Sequence, residues 1–238
     1  MPITKRMMIC GAALLALAGG LRAQKYSQID FDSVQQRICD ARSRYYYPPL
    51  LKHYLADDVS LRVDDYVHLY YGYVFHDQYR PVDPVRLHQE QELQAQFKAG
   101  KYKRAAALAR RLLRQDPLNT DYLYWTGRCA EQRRDSALAL RCRARWRNLV
   151  EAIRASGDGR SRATAFVVIR VPDEYQLLQA LRLEYTAHLL HEDRLRQLYY
   201  DLFTLKPNRL GLDTLYFNTN WSYQFLAETI DTFSEHHK

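Results

Sequence analysis

The 238-residue sequence predicts an α+β protein in which helical hairpins come first and a small, mostly antiparallel β-sheet with covering helices follows. Three observations carry that reading. Apolar residues recur at helical spacing from Phe31 through the middle of the chain; Ser156-Gly157-Asp158-Gly159 marks a turn where composition changes; and apolar runs of strand type follow it, at Phe166 to Val171 and at Leu215 and Phe217. The composition, 47% hydrophobic and 26% charged with 9 Gly and 8 Pro, excludes disordered, collagenous and coiled-coil classes.

The chain opens on a leader. Lys5 and Arg6 precede an apolar run from Met7 to Leu17, and small residues follow, which predicts a secretory signal peptide over residues 1–23. Cleavage is expected after Ala23, with Ala18 as a second small-x-small point. The run is shorter than the roughly 20 apolar residues a membrane span needs, and Cys10 comes too early in it for a lipoprotein signal. An exported protein, periplasmic or secreted and without an integral membrane segment after signal removal, is therefore expected.

In the mature chain, Phe31, Val34 and Ile38 fall at i, i+3 and i+7 behind Asp30 and Asp32, a short amphipathic helix with a capped start. Pro48-Pro49 ends one element and opens the next. Asp64-Asp65 precede Tyr66, Leu69, Tyr70 and Tyr73, a helix whose buried face is largely tyrosine. From Val85 to Arg154 the spacing is tetratricopeptide-like: Gly100, Tyr102, Ala105, Leu112, Leu113 and Asp116-Pro117 occupy one repeat, and Leu123, Gly127 and Ala139 a degenerate second. Two such units do not make a free-standing solenoid, so they must pack on the rest. Residues 24–155 thus form a helical, tyrosine-rich part and residues 156–238 a sheet part, packed as one unit. In the second part Phe166 to Val171 reads as a buried strand. Pro172-Asp173-Glu174-Tyr175 opens a helix through Leu181 with Asp173 as N-cap, Leu215 to Asn218 reads as a strand, and Trp221 to Phe233 as a closing helix.

Charge is unevenly spread. Between Lys98 and Arg162 there are 17 basic and 6 acidic residues, net +11, while the rest of the mature chain is net −6. For an exported protein the basic side suits a protein or peptide partner, an anionic glycan or an envelope component better than nucleic acid, although an arginine-rich solvated helix face has the same composition. Three cysteines follow the leader, Cys39, Cys129 and Cys142; a Cys129–Cys142 bridge fits the spacing without being demanded by it.

The segment Asp65-Tyr66 with Leu69-Tyr70-Tyr71-Gly72-Tyr73-Val74-Phe75, the stretch ending at Asp116-Pro117, the Ser156-Gly157-Asp158-Gly159 block followed by Phe166-Val167-Val168-Ile169, then Asp173-Glu174-Tyr175 and Leu215-Tyr216-Phe217-Asn218, together resemble an exported Bacteroidetes family known only as domain of unknown function 4919. The resemblance implies a secreted or periplasmic bacterial protein and brings no activity with it. It also implies strands, not one long helix, between Arg182 and Lys206. The glycine expected after the Asp173-Glu174-Tyr175 helix is missing here.

Candidate chemistry is sparse. His188, His191, Glu192 and Asp193 form the densest ligand-type group, but three-residue spacing puts the histidines on opposite faces of a strand and misses the i, i+4 pattern of a helical zinc site, so no metal is expected. No glycine-framed nucleophile and no cofactor motif occurs, so no cofactor and no catalytic residue is assigned. The tyrosine excess, 19 Tyr against 8 Phe, is the remaining clue. Tyr45, Tyr46, Tyr47, Tyr71 and Tyr79 fall outside the helix face above, and tyrosine offers partners a flat apolar ring with a polar tip. The candidate binding residues are Tyr71, Tyr73, Tyr79, Asp173, Glu174 and Tyr175; burial of both blocks in packing would remove them as a contact surface. The sequence thus points to a non-enzymatic binding or assembly module of the periplasm or envelope. The rival is a small hydrolase-like enzyme with a site between the helical and sheet parts, using groups such as Asp173, Glu174 or His188.

Overall fold

The computed structural model describes residues 29–226. The signal segment expected at 1–23 and the end of the closing helix expected through Phe233 lie outside the described residues. Helix α1 (Phe31–Cys39) starts where the Asp30 side chain accepts the Ser33 amide at 3.0 Å, and it buries Val34 and Ile38. Helix α2 (Tyr47–Leu55) carries its prolines in the first turn, where no amide donor is required. Helix α3 (Val63–Gly72) begins at Arg62, whose amide donates to Asp65 at 2.8 Å, while Arg44 reaches both oxygens of the same carboxylate at 2.8 and 3.0 Å.

Four helices then form two consecutive hairpins: α4 (Pro84–Lys98), α5 (Tyr102–Gln115), α6 (Thr120–Gln132) and α7 (Ser136–Arg154). Asp83, Asn119 and Asp135 cap α4, α6 and α7 by accepting first-turn amides. Each helix packs on the next, and α7 also lies against α3, which seats the hairpins on the tyrosine-rich helices. The sheet part contains β1 (Phe166–Val167), α8 (Val171–Leu181), β2 (Tyr185–Asp193), β3 (Leu198–Leu205) and β4 (Thr214–Asn218), and the chain is helical again at 220–226. The strand order is β1-β4-β3-β2; β1 runs parallel to β4 and the other pairs are antiparallel. The α+β architecture and the strands between Arg182 and Lys206 are as expected.

A contiguous buried cluster runs from Val34 through Leu69, Tyr70 and Ile153 to Ile169, Phe203 and Phe217, so the helical and sheet parts share one core. A satellite cluster around Leu93, Ala105, Ala109, Leu112 and Tyr122 sits between α4, α5 and α6.

Two local expectations are corrected, at β1 and at the start of α8. The strand expected over Phe166 to Val171 pairs only at Phe166–Val167. Arg170, not Asp173, is the N-cap of α8, because the Asp173 side chain is spent on tertiary partners described below. The Ser156–Gly159 block is a packed corner. Ser156 Oγ donates to the Ile153 carbonyl at 2.6 Å and accepts the Val167 amide at 2.8 Å, and a Cβ at Gly157 would sit 2.4 Å from the Thr164 carbonyl oxygen. Cys129 and Cys142 are buried free thiols, and Cys39 is an exposed one. Where α8 lacks the expected glycine, Arg182 itself takes the left-handed conformation, φ 54°.

Candidate functional site

The tyrosine block and the Asp-Glu-Tyr block meet in the interior. Tyr70, Tyr71, Tyr73 and Tyr79 are at most 3% exposed, as are Asp173 and Glu174, while Tyr175 is 38% exposed. Tyr71, Tyr73 and Tyr79 are therefore not contact rings, and Tyr47, also placed outside the helix face by spacing, is buried too. The physical reason lies at β1. One side of the Phe166–Ile169 segment pairs with β4; the other side has no neighbouring strand among the described residues, and buried backbone groups must find partners. Side chains supply them. Tyr71 Oη donates to the Val167 carbonyl at 3.0 Å and Tyr79 Oη to the Ile169 carbonyl at 2.6 Å, while Tyr70 Oη accepts the Ile169 amide at 3.2 Å. Ser222 Oγ adds a second donor to the Ile169 carbonyl at 3.1 Å. Tyrosine fits this role because its ring fills the core and its hydroxyl reaches the edge.

Tyr70 also donates to Asp173 at 2.7 Å, and Thr120 donates to the other oxygen of that carboxylate. Arg170 stands 3.8 Å from Asp173 and grips Asp116 through both carboxylate oxygens at 2.9 and 3.0 Å, with its guanidinium 4.9 Å from the Tyr73 ring centre. Burial alone would lower the Arg170 pKa, but the charges of Asp116 and Asp173 outweigh it and hold the guanidinium ionised. Burial raises the Asp173 carboxyl, opposed by Arg170, Thr120 and Tyr70. Because Asp116 ends α5 and Arg170 starts α8, this cluster ties the hairpins to the sheet part. Both carboxylates are held within the cluster, while among the described residues Arg170 Nε and Nη1 have no hydrogen-bond partner.

The second polar group lies across α8. Glu174 is fully buried, and among the described residues no nitrogen or hydroxyl donor reaches its carboxylate oxygens; its near neighbour is the Asp201 carboxyl. Asp201 on β3 is fully buried as well; one oxygen lies 3.0 Å from Nε2 of His188 on β2 and the other has no partner. The His188 ring stacks on Phe203, 4.3 Å between centres, and its side chain is 30% exposed. Burial pushes the Glu174 carboxyl well above the usual carboxylate range, and the neighbouring Asp201 charge adds to the effect. His191, Glu192 and Asp193 take no part: the next potential ligands in sequence are not the next in space. Asp201 carries no sequence signal that singles it out.

A surface concavity of about 230 Å³ lies between α6, α7 and the end of α8. Tyr124 and Trp146 supply half-buried rings, Arg128 and Arg143 line its rim, and Glu131 contacts both arginines, at 3.8 and 2.5 Å. Trp146 is held by its Nε1 donating to Gln176 at 2.8 Å, and Gln176 in turn donates to Asp121 at 2.9 Å. Burial, with the charge of Glu90 second, pushes the Asp121 carboxyl up to about 7. Two further hollows, of about 430 and 200 Å³, lie beside the Gly157–Arg160 corner and beside Trp221. None of the three is lined by Asp116, Arg170, Asp173, Glu174 or His188.

The fold and these clusters define an α+β protein in which helical hairpins are locked onto a small mixed sheet by buried polar contacts. The model of the family described as a domain of unknown function (DUF4919) matches residues 32–226, and the chain belongs to that family. No curated protein and no solved structure matches the chain. Among the described residues, no helix is long and apolar enough to cross a membrane.

Proposed function

We propose that this is an exported, non-enzymatic binding or assembly module of the periplasm or cell envelope, whose tetratricopeptide-like hairpins hold an acidic peptide segment of a partner protein. The observation that carries the reading is the α6–α7 concavity, where Tyr124 and Trp146 offer ring surface beside Arg128 and Arg143 on a segment of net charge +11. Aromatic rings and arginine are the side chains that contribute most per contact at protein interfaces, and charge of one sign selects the opposite sign in a partner. Support for export comes from the sequence pattern of Lys5 and Arg6 followed by the apolar run Met7 to Leu17. The hydrolase-like alternative draws on Asp173, Glu174 and His188. Asp173 is already held by Tyr70, Thr120 and Arg170, which counts against its serving as a general base. The test is titration of the purified chain with a glutamate-rich peptide and an uncharged peptide of equal length. Saturable binding of the acidic peptide that Arg128→Glu/Arg143→Glu weakens supports the reading; equal binding of both peptides, or no effect of the double variant, overturns it.

A further inference from the structure

We propose that Glu174, His188 and Asp201 form a binding site for one divalent transition-metal ion. Each residue comes from a different element, α8, β2 and β3, and each offers one ligand-type atom; these atoms lie within 4.8 Å of one another. The site is separate from the α6–α7 concavity, so it stands or falls independently of the partner-binding reading.

The observation that points to a ligand is the state of the two carboxylates. Glu174 is wholly buried and, among the described residues, no nitrogen or hydroxyl donor reaches either of its oxygens; Asp201, whose carboxyl stands within hydrogen-bonding reach of Glu174, keeps one oxygen likewise without a donor. A buried polar atom without a partner is rare and costly, and two facing carboxylates compound the cost through mutual repulsion. Arg170, the basic group one turn before Glu174, is already engaged by Asp116 and Asp173. A divalent cation between the three residues supplies the missing positive charge and occupies the idle lone pairs.

The donor set selects the class of ion. One imidazole nitrogen with two carboxylate oxygens suits zinc or manganese, whereas calcium calls for six to eight oxygens. In a tetrahedral shell with bonds of about 2.0–2.1 Å, ligand atoms sit roughly 3.3 Å apart. Asp201 Oδ1 and His188 Nε2 are already 3.0 Å apart, and all three ligand atoms lie within 4.8 Å of one another, so small side-chain rotations would gather them around one ion. The Phe203 ring under the imidazole fixes its plane, and the exposed flank of His188 gives the ion a path in and leaves a coordination position for water.

The rival arrangement is a proton shared by the two carboxylates with no metal. The two are separated by measuring zinc and, in a second arm, manganese retained by the purified chain after dialysis, together with the thermal midpoint with and without a chelator. The expected result is about one equivalent of metal and a midpoint that chelation lowers. Both signatures should be lost, with affinity at least about tenfold weaker, in Glu174→Gln and in His188→Gln. Should Glu174→Gln fail to fold, His188→Gln carries the test, because His188 lies on the exposed edge strand. Retention below about a tenth of an equivalent of either metal overturns the proposal. So does zinc binding unchanged in both variants, which would trace to other groups such as the Glu235-His236-His237 sequence at the C-terminus.

Discussion

Replacing single tyrosines of α3 and its flank by phenylalanine removes one oxygen and leaves the ring, and the structure assigns each removal a different cost. Tyr70 Oη has two buried partners, accepting the Ile169 amide at 3.2 Å and donating to Asp173 at 2.7 Å. Its loss strands an amide donor and a carboxylate oxygen together, and at about 1–3 kcal/mol for an unsatisfied buried group the expected destabilisation is about 3 kcal/mol. Tyr71 Oη serves one acceptor, the Val167 carbonyl, so Tyr71→Phe should cost about 1–1.5 kcal/mol. Tyr79 Oη also serves one acceptor, but the Ile169 carbonyl keeps Ser222, so Tyr79→Phe should cost about 0.5–1 kcal/mol. The assay is urea unfolding at pH 7 with tryptophan fluorescence and far-ultraviolet dichroism, comparing midpoints at constant slope. The ordering Tyr70 above Tyr71 above Tyr79 is the signature of hydroxyls standing in for a neighbouring strand. Three equal values, or a cost below about 1 kcal/mol for Tyr70→Phe, would refute it.

Other perturbations probe the remaining contacts. Asp116→Ala leaves the buried Arg170 guanidinium with only the 3.8 Å contact to Asp173 and should destabilise by about 3–5 kcal/mol, while Arg170→Met in the same chain should recover much of the loss; additive losses would show that the pair is not coupled. Gly157→Ala places a methyl group 2.4 Å from the Thr164 carbonyl oxygen and 2.7 Å from that of Ala165, for an expected cost of about 1–3 kcal/mol in the same unfolding assay, and a neutral result would mean the corner yields freely. Asp121 gives a pH test. Its folded-state pKa of about 7 exceeds the unfolded value of about 4, so the folded chain holds a proton that the unfolded chain has lost, and stability falls as the pH rises through that window. Asp121→Asn should therefore gain about 1 kcal/mol or more at pH 8 and close to nothing at pH 4; equal gains at both would contradict the assignment.

Much of the framework is legible in the sequence because it rests on local rules. Helix starts follow from Asp30, Pro48 and the Asp64-Asp65 pair, and the apolar stripe of α5 is visible as Ala105, Ala109 and Leu112. The alternation at Leu215 and Phe217 gives β4 directly. What periodicity misses is partner choice over long range. Tyr71 and Tyr79 look free on a helical wheel, yet their partners at Val167 and Ile169 lie 96 and 90 residues away. Asp173 has every local attribute of an N-cap, but buried partners at Tyr70, Thr120 and Arg170 outweigh one helix-end amide. Of the Glu174, His188 and Asp201 cluster, the first two are singled out by residue type alone, but Asp201 is not: three single residues on three elements make no spacing motif, and the adjacent His191, Glu192 and Asp193 draw attention to the wrong group.

The proposed binding role is tested most directly by titrating the purified chain with a labelled glutamate-rich peptide at about 0.05 M and about 0.2 M salt, using the wild type and the Arg128→Glu/Arg143→Glu variant. Binding should be saturable, weaken with salt, fall at least about tenfold in the double variant, and transfer to a lysine-rich peptide once the rim charges are reversed. Binding that ignores both salt and charge reversal, in a variant with unchanged unfolding, would contradict it.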